Sequence, residues 1–390
     1  MTTKDRVLEK LAASGGKPVS GEVLASECDV SRAAIWKAVS ALRDKGFSIE
    51  GTPNGGYVLA DGVDFCTPEL FHNTFAREFP EYANCHTEWL KETDSTMNYA
   101  KRLLSECGSL RTADGTLTPA GQKYHGAVIV AENQTAGRGR LGRTFVSPDR
   151  TGIYLSVIYA PKGGITQPAP ITAFAAVAVC RAIKRLYGIE PSIKWINDIF
   201  VNNSGMRKKA VGILTEGVTN FETQRIESAI IGIGLNIRPS KDIPKELEDI
   251  VGFIEPAAEQ IAAANATGAN TATCNTHDAN TTMCGATGAA APNNASAGVS
   301  RCRLAAEVAG QVIRIYDEPP EKVMAEYKRL VFLIGEDVEV HPIIGDEKSI
   351  YTATAVDIDD NAGLVVKLAD GTIKTLSSGE VTLKSASFTK

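Results

Sequence analysis

From about residue 63 to 240 the chain alternates β-branched runs with helical stretches, a pattern that admits an α/β or α+β domain and little else. AVIVAE (127–132), IYLSVIYA (153–160) and AIIGIGLNI (229–237) are expected strands, with an apolar helix at 171–187 between the last two. Residues 1–62 follow a different plan. Val7, Leu8 and Leu11 start one helix, and Val23, Leu24 and Ala25 lie in a second behind Ser20 as its cap. Ser31 caps a third, RAAIWKAVSALRDK, which Gly46 stops. FSIEGTPNGGYVL then gives two short strands around Pro53, Asn54, Gly55 and Gly56. Helix, turn, helix, wing is the order of a winged helix-turn-helix. A helix resumes at 301–316, and from 335 EDVEVHPI, YTATAVDID, GLVVKLADG and TIKTLSSGEVTLK predict a small β-barrel of SH3-like size. The expected fold is α+β and multidomain, divided at 1–62, 63–334 and 335–390.

Residues 255–300 break this order. They are rich in Ala, Asn, Thr and Gly and nearly empty of large apolar side chains, so a disordered insertion is expected. Cys274, His277 and Cys284 within it supply only three ligands at a spacing that fits no standard zinc pattern, so no metal site is assigned.

At 390 residues the chain is too long for one ordinary core. No stretch approaches the ~20 apolar residues of a membrane helix, and MTTKDRVLEK lacks the apolar run of a secretory signal, so a cytoplasmic protein with no membrane partner is expected. A net charge of −5 excludes a general electrostatic pull on nucleic acid, so any DNA contact needs a local patch. The eight scattered cysteines read as reduced thiols.

Four segments carry chemistry. In QTAGRGRLGRTF (134–145), Gly137, Gly139 and Gly142 alternate with Arg138, Arg140 and Arg143 directly after a strand. Glycines let backbone N–H groups approach an anion, and arginines add forked cationic donors, so an anion-binding loop is expected over a merely basic turn. The GxxxxGK[ST] spacing of a Walker loop is absent. In SIKWINDIF (192–200), Lys194 between Ile193 and Trp195 either projects into a pocket from a half-buried strand or ends a strand in a polar turn. Asn197 and Asp198 suit a nucleotide or its magnesium. In TDSTMNYAKRLL (93–104), Asp94 or Ser95 reads first as a helix cap, though hydroxyls at a helix start also suit a small polar ring. GIGLNI (232–237) is a glycine-spaced strand that lets a ligand lie against backbone.

Taken in this order, GRGRxGR, KWxND, DST and GIGxN resemble the motif set of the biotin protein ligases, most closely the bifunctional bacterial type that is both ligase and biotin operon repressor. The resemblance covers head, central domain and C-terminal domain, and chiefly omits the insertion. It implies ATP and Mg2+ as cofactors and biotin as substrate. Biotin's carboxylate attacks the α-phosphate of ATP to give biotinyl-5′-adenylate, and a lysine of a biotin carboxyl carrier domain then takes the biotin. By motif position it implies Lys194 and Arg140 as catalytic residues. It places Ser95, Thr96, Met97, Gln134, Gly137, Arg138, Gly139, Arg140, Lys194, Gly232 and Gly234 around biotin. Arg138, Arg143, Asn197, Asp198 and Asn236 fall on the ATP side. This chain departs at Met97 (often Asn), Ile196 (usually Pro) and Phe145 (usually Trp), and 105–125 is longer than usual.

In the head, Ser31, Arg32, Ala33 and Lys37 are the expected DNA contacts, while Trp36 fits either core or DNA face. The first 62 residues balance at eight basic and eight acidic, so the patch must be local to this helix. The resemblance implies operator binding by a homodimer formed when adenylate is bound. Two rivals stand beside it: a biotin-sensing regulator with little ligase activity, and a lipoate-type ligase.

Overall fold

The computed structural model describes residues 2–14, 16–44, 47–52, 55–59, 66–112, 114–161, 164–165, 169–220, 225–257, 259, 299–341 and 349–383. The insertion expected at 255–300, with Cys274, His277 and Cys284, lies almost wholly outside them, as do Gly46, Pro53 and Asn54.

The head consists of α1 (Thr3–Ala13), α2 (Gly21–Glu27), α3 (Arg32–Asp44) and the hairpin β1 (Ile49–Thr52) and β2 (Gly56–Leu59). Ser20 and Ser31 accept backbone N–H bonds from Val23 and Ala34 (3.1 and 3.2 Å), as caps do. Val7, Leu8, Leu11, Leu24, Ile35 and Leu42 close a small separate core. Val23 belongs to the second helix but faces solvent. The 3.6-residue period leaves one face of α3 outside, and Trp36 stands on it 62% exposed. Arg43 is committed elsewhere, since its Nε donates to the Ile49 carbonyl and braces the wing (2.7 Å).

The central domain is one seven-stranded sheet. Its strands are β3 (Thr87–Thr93), β4 (Ala127–Gln134), β5 (Gly152–Tyr159), β6 (Ser192–Lys194), β7 (Asp198–Asn203), β8 (Met206–Asn220) and β9 (Arg225–Asn236). They lie in the order β3-β4-β5-β9-β8-β7-β6, parallel only between β3 and β4. Both faces of the sheet are covered, which is why β4 and β5 read as nearly unbroken apolar runs. Val128 and Val130 pack into the main core with α4 (Pro68–Glu78), α7 (Ala169–Tyr187) and α8 (Arg301–Arg314). Ala127 and Ile129 face the other layer, with α5 (Thr96–Glu106) and α6 (Pro119–Tyr124).

Gly310 is the contact point between α4's end and α8. A Cβ there would sit 2.3 Å from two ring carbons of Phe79, which is itself fully buried. Gly310→Ala gains about 1 kcal/mol of helix propensity but forces a packed ring to move, an overpacking cost of about 3 kcal/mol. The expected net is a loss of about 2 kcal/mol, read as a lower urea midpoint; an unchanged or raised midpoint would show that helix propensity wins.

After α9 (Pro320–Leu330), β10 (Asp337–His341), β11 (Tyr351–Ile358), β12 (Leu364–Lys367), β13 (Ile373–Leu376) and β14 (Glu380–Leu383) form an antiparallel sheet in the order β13-β12-β11-β10-β14. The chain is β-rich here as expected, but no closed barrel is found among the described residues. The sheet is nonetheless curled. Flat, its edge strands would stand about 19 Å apart, and the few residues from Leu376 to Glu380 span at most about 14 Å. Its buried face (Val338, Val340, Ala355, Leu364, Val366) is continuous with the central core.

Candidate functional site

A cavity of about 290 Å³ opens where the GRGR loop, the start of α5, the middle of β8, the end of β9 and the β6–β7 turn meet. Of the residues expected around the ligand, Ser95, Thr96, Met97, Gln134, Arg138, Gly139, Arg140, Lys194, Gly232 and Gly234 line it, as do Arg143, Asn197, Asp198 and Asn236. Gly137 does not. It sits at the root of the loop, where a Cβ would lie 2.2 Å from the Phe145 carbonyl oxygen, so its missing side chain lets the two limbs pair.

One end of the cavity is polar and uncharged. Ser95 Oγ caps α5 by accepting the Met97 N–H (3.2 Å). Gln134 Oε1 accepts from the Thr96 backbone N–H (2.9 Å) and its hydroxyl (3.2 Å). Gln134 Nε2 donates to Ser147 Oγ (2.9 Å), and Ser156 Oγ donates to Thr96 Oγ1 (2.8 Å). The cap reading of Ser95 therefore holds, and Ser95, Thr96 and Gln134 also line the cavity. The next stretch is apolar. A Cβ on Gly232 would meet Met97 Sδ at 2.6 Å, and one on Gly234 would meet the Phe145 ring at 2.4 Å. Protein side chains, as well as any ligand, thus lie against the bare backbone of β9.

The far end is cationic. Five cationic side chains (Arg138, Arg140, Arg143, Lys194, Lys209) and two carboxylates (Asp198, Glu380) line the whole cavity. Lys194 is half-buried and has no ion pair within 4 Å among the described residues. Burial lowers its pKa below the ordinary lysine range, opposed by the nearby charges of Asp198 and Glu380 and assisted by Lys209 and Arg143. Lys209, by contrast, pairs with Asp198 at 2.8 Å. Asn197 is largely held by protein: Nδ2 donates to Asp198 (3.0 Å) and the Ile213 carbonyl (2.9 Å), and Oδ1 accepts one bond from Arg140 (2.9 Å), which leaves one acceptor site. The Trp195–Ile196 peptide is cis, and Trp195 Nε1 donates to the Ala362 carbonyl of the C-terminal sheet (2.7 Å).

The three arginines reach three different bodies. Arg138 forks onto Glu216 of β8, Arg140 reaches Asn197 and the Gly379 carbonyl (3.3 Å), and Arg143 forks onto Glu380 (2.9 and 2.6 Å). Burial alone would raise the Glu380 carboxyl, but the hydrogen bonds and charge of Arg143, with Lys194 and His341, bring it below the usual range. Lys209, Glu216 and Glu380 were not singled out from the sequence. Lys209 carried a signal, a lysine three residues before Gly212 in a strand; the carboxylates carried none, because their partners lie 78 and 237 residues away.

The model of the Biotin/lipoate A/B protein ligase family matches residues 111–236, an HTH domain model matches 3–58, and that of the Biotin protein ligase C terminal domain matches 334–384. The bifunctional ligase/repressor BirA of Bacillus spizizenii is 31% identical over 258 residues, covering 66% of this chain and 72% of that protein. Its namesake from Escherichia coli is 27% identical over 224 residues, 57% of this chain and 61% of that protein. A mutant form of the Aquifex aeolicus biotin protein ligase, solved in complex with biotin, has the same fold at a TM-score of 0.50 and 21% identity, over 77% of this chain and 98% of that one. The three domain models fall in chain order and the Bacillus relative matches across most of its length, so the chain belongs to the biotin protein ligases of the bifunctional ligase/repressor type.

Proposed function

We propose that the protein joins biotin to ATP as biotinyl-5′-adenylate, passes the biotin to a lysine of a biotin carboxyl carrier domain, and represses transcription through its head. The observation that carries this reading is Lys194, a half-buried ammonium with no ion pair among the described residues, at the cationic end of a cavity whose other end is neutral and hydrogen-bonding. An unpaired half-buried cation is costly to keep unless an anion visits it. A carboxylate attacking a phosphate is such a visitor, because both reactants repel each other until a cation stands between them.

In the proposed arrangement the ureido ring of biotin meets Ser95, Thr96 and Gln134. Its carboxylate meets Lys194 and Arg140, with Lys209 beside them. One carboxylate oxygen bonds the α-phosphorus as the bond to pyrophosphate breaks. The acceptor's neutral amine then attacks the carbonyl carbon, losing its proton as AMP leaves. Arg143, Asn197, Asp198 and Asn236 face the nucleotide. Magnesium is assigned to the phosphates of ATP, since the described residues hold no group of three or more His, Cys, Asp or Glu side chains suited to a metal. We extend the reading to the domain limits 1–62, 63–334 and 335–390, to an SH3-like class for the curled C-terminal sheet, and to a homodimer formed with adenylate bound. No helix among the described residues is long and apolar enough to cross a membrane.

The test is to incubate the protein with ATP, magnesium and a carboxyl carrier domain, adding biotin or lipoate. A biotin-sized mass gain on the acceptor supports the ligase. Gain only with lipoate transfers the reading to a lipoate ligase, and gain with neither leaves a sensor. For the head, retention of a biotin-operon fragment is expected to require residues 1–62 and to rise with biotin and ATP. Arg32, Trp36 and Lys37 share the exposed face of α3 with Ser31 and Ala33. Lys37→Ala is therefore expected to weaken binding to all DNA by about one phosphate contact, lowering the salt slope by about 0.9. Trp36→Ala is expected to cost sequence preference while leaving the slope; an unchanged slope for Lys37→Ala places DNA on another face.

A further inference from the structure

We infer that Glu216 is the catch that keeps the arginine-rich loop shut over a bound acyl-adenylate, a positioning residue that sets how long the intermediate is held. This rests on the ligase reading above. Arg138 forks onto Glu216 with Nη1–Oε2 at 2.9 Å and Nη2–Oε1 at 2.7 Å, the bidentate geometry of the strongest side-chain pairs. Asn98 Oδ1 accepts a further bond from the same guanidinium (3.3 Å), and Lys101 Nζ holds Glu216 Oε2 from the α5 side (2.7 Å). Glu216 thus sits between two cations. Burial would raise its carboxyl, but Lys101 and Arg138 hold it below the ordinary range.

Three features separate this contact from ligand binding. First, Glu216 is absent from the cavity lining and borders, with Ala136 and Gly137, an adjoining hollow that shares Arg138 and Leu214 with the cavity. Arg138 borders both spaces, and both of its Nη atoms are taken by Glu216. Second, Glu216 pairs with Ile230 inside the β8–β9 ladder, which runs unbroken from Val211 to Val218, so it stands on a firmer support than the loop and the loop side of the pair is the one free to move. Third, of the loop's two arginine–carboxylate forks this one is less exposed: the Arg143 side chain is 61% exposed and that of Arg138 35%. An adenylate phosphate can draw Arg140 or Arg143 toward itself without touching the Arg138 pair. Opening the loop must break that pair.

The experiment loads the full-length protein with biotin and ATP labelled at the α-phosphate, removes free nucleotide, and follows the label left on the protein. Pyrophosphate release is measured in parallel. In Glu216→Gln the bound adenylate is expected to leave about tenfold faster, while the pyrophosphate burst stays within about twofold of the parent. Released adenylate should then biotinylate lysines of a bystander protein such as serum albumin. Lys101→Ala, which leaves the fork whole, should hold its adenylate within about twofold of the parent. Should Glu216→Gln fold poorly, the charge exchange decides. Glu216→Arg and Arg138→Glu alone should each leak, and together regain most of the retention. Unchanged retention in Glu216→Gln, or a burst that falls in step with it, overturns the inference while the ligase reading stands. Absence of a burst in the parent protein defeats the ligase reading itself.

Discussion

Lys194→Ala is expected to lower biotin-dependent ATP–pyrophosphate exchange by two to three orders of magnitude, about 3–4 kcal/mol of transition-state stabilisation. The charge that develops as carboxylate meets α-phosphate has to be neutralised from a fixed position, and among the described residues Lys194 is the cavity lysine with no ion pair to give up. Lys209 would first have to leave Asp198. The pH profile supplies a second reading. Burial lowers the Lys194 pKa, so its charged form is lost at a lower pH than that of an ordinary lysine. Activity that needs the ammonium therefore declines on the alkaline side before the ordinary lysine range is reached. Lys194→Arg, permanently charged, should remove that decline even where the maximal rate is lower. Stability should move the other way. Lys194→Met replaces a half-buried ammonium that has no ion pair among the described residues by an apolar chain, so its melting temperature should equal or exceed the parent's. If Lys194→Ala keeps more than a third of the exchange rate and Lys209→Ala does not, the central role passes to Lys209.

The sequence made the framework legible where the pattern was local. Ser20 and Ser31 could be read as caps because a cap and its N–H lie three residues apart. β4, β5 and β9 could be read because burial on both faces leaves continuous apolar runs. β3 (TEWLKET) was harder: as an edge strand it buries only Trp89 fully, among half-buried and exposed neighbours whose charged members favour helix as much as strand. β8 begins with MRKK and reads as a strand only once its partners β7 and β9 are in place. The same limit governs the site. Glycine–arginine spacing announced an anion loop, but which arginine faces ligand and which faces protein depends on Asn197, Glu216 and Glu380, on three separate elements. Curling of the C-terminal sheet was readable from its short turns; whether its edges join was not, because that depends on hydrogen bonds between strands at opposite edges.

Gly234 shows how such a long-range contact changes the meaning of a motif, and it yields the second large effect. The glycine-spaced strand suggested a ligand against bare backbone, yet the atoms nearest to a Cβ on Gly234 belong to Phe145, at 2.4, 2.6 and 2.9 Å. Gly212 on β8 leaves the same ring room, with a Cβ there at 3.1 Å. Phe145 also meets Tyr154 edge-on and donates its N–H to the Gly137 carbonyl (2.9 Å), so the ring anchors the returning limb of the arginine loop. Gly234→Val should therefore evict the ring and lift the loop root. In a strand the replacement gains intrinsic preference, and Phe145 is only half-buried, so the loop gives way before the sheet does. Expected are a melting temperature within a few degrees of the parent and a biotin affinity about 100-fold weaker, which is about 2.7 kcal/mol. Calorimetric titration with biotin reads the affinity. Gly310→Ala is the opposite case, because there the ring is fully buried and the cost appears in stability. Adding Phe145→Ala to Gly234→Val separates the two possible causes. If the ring is what the valine displaces, removing it should recover roughly tenfold of the lost affinity; if the valine blocks biotin directly, the double variant should bind no better than the single one.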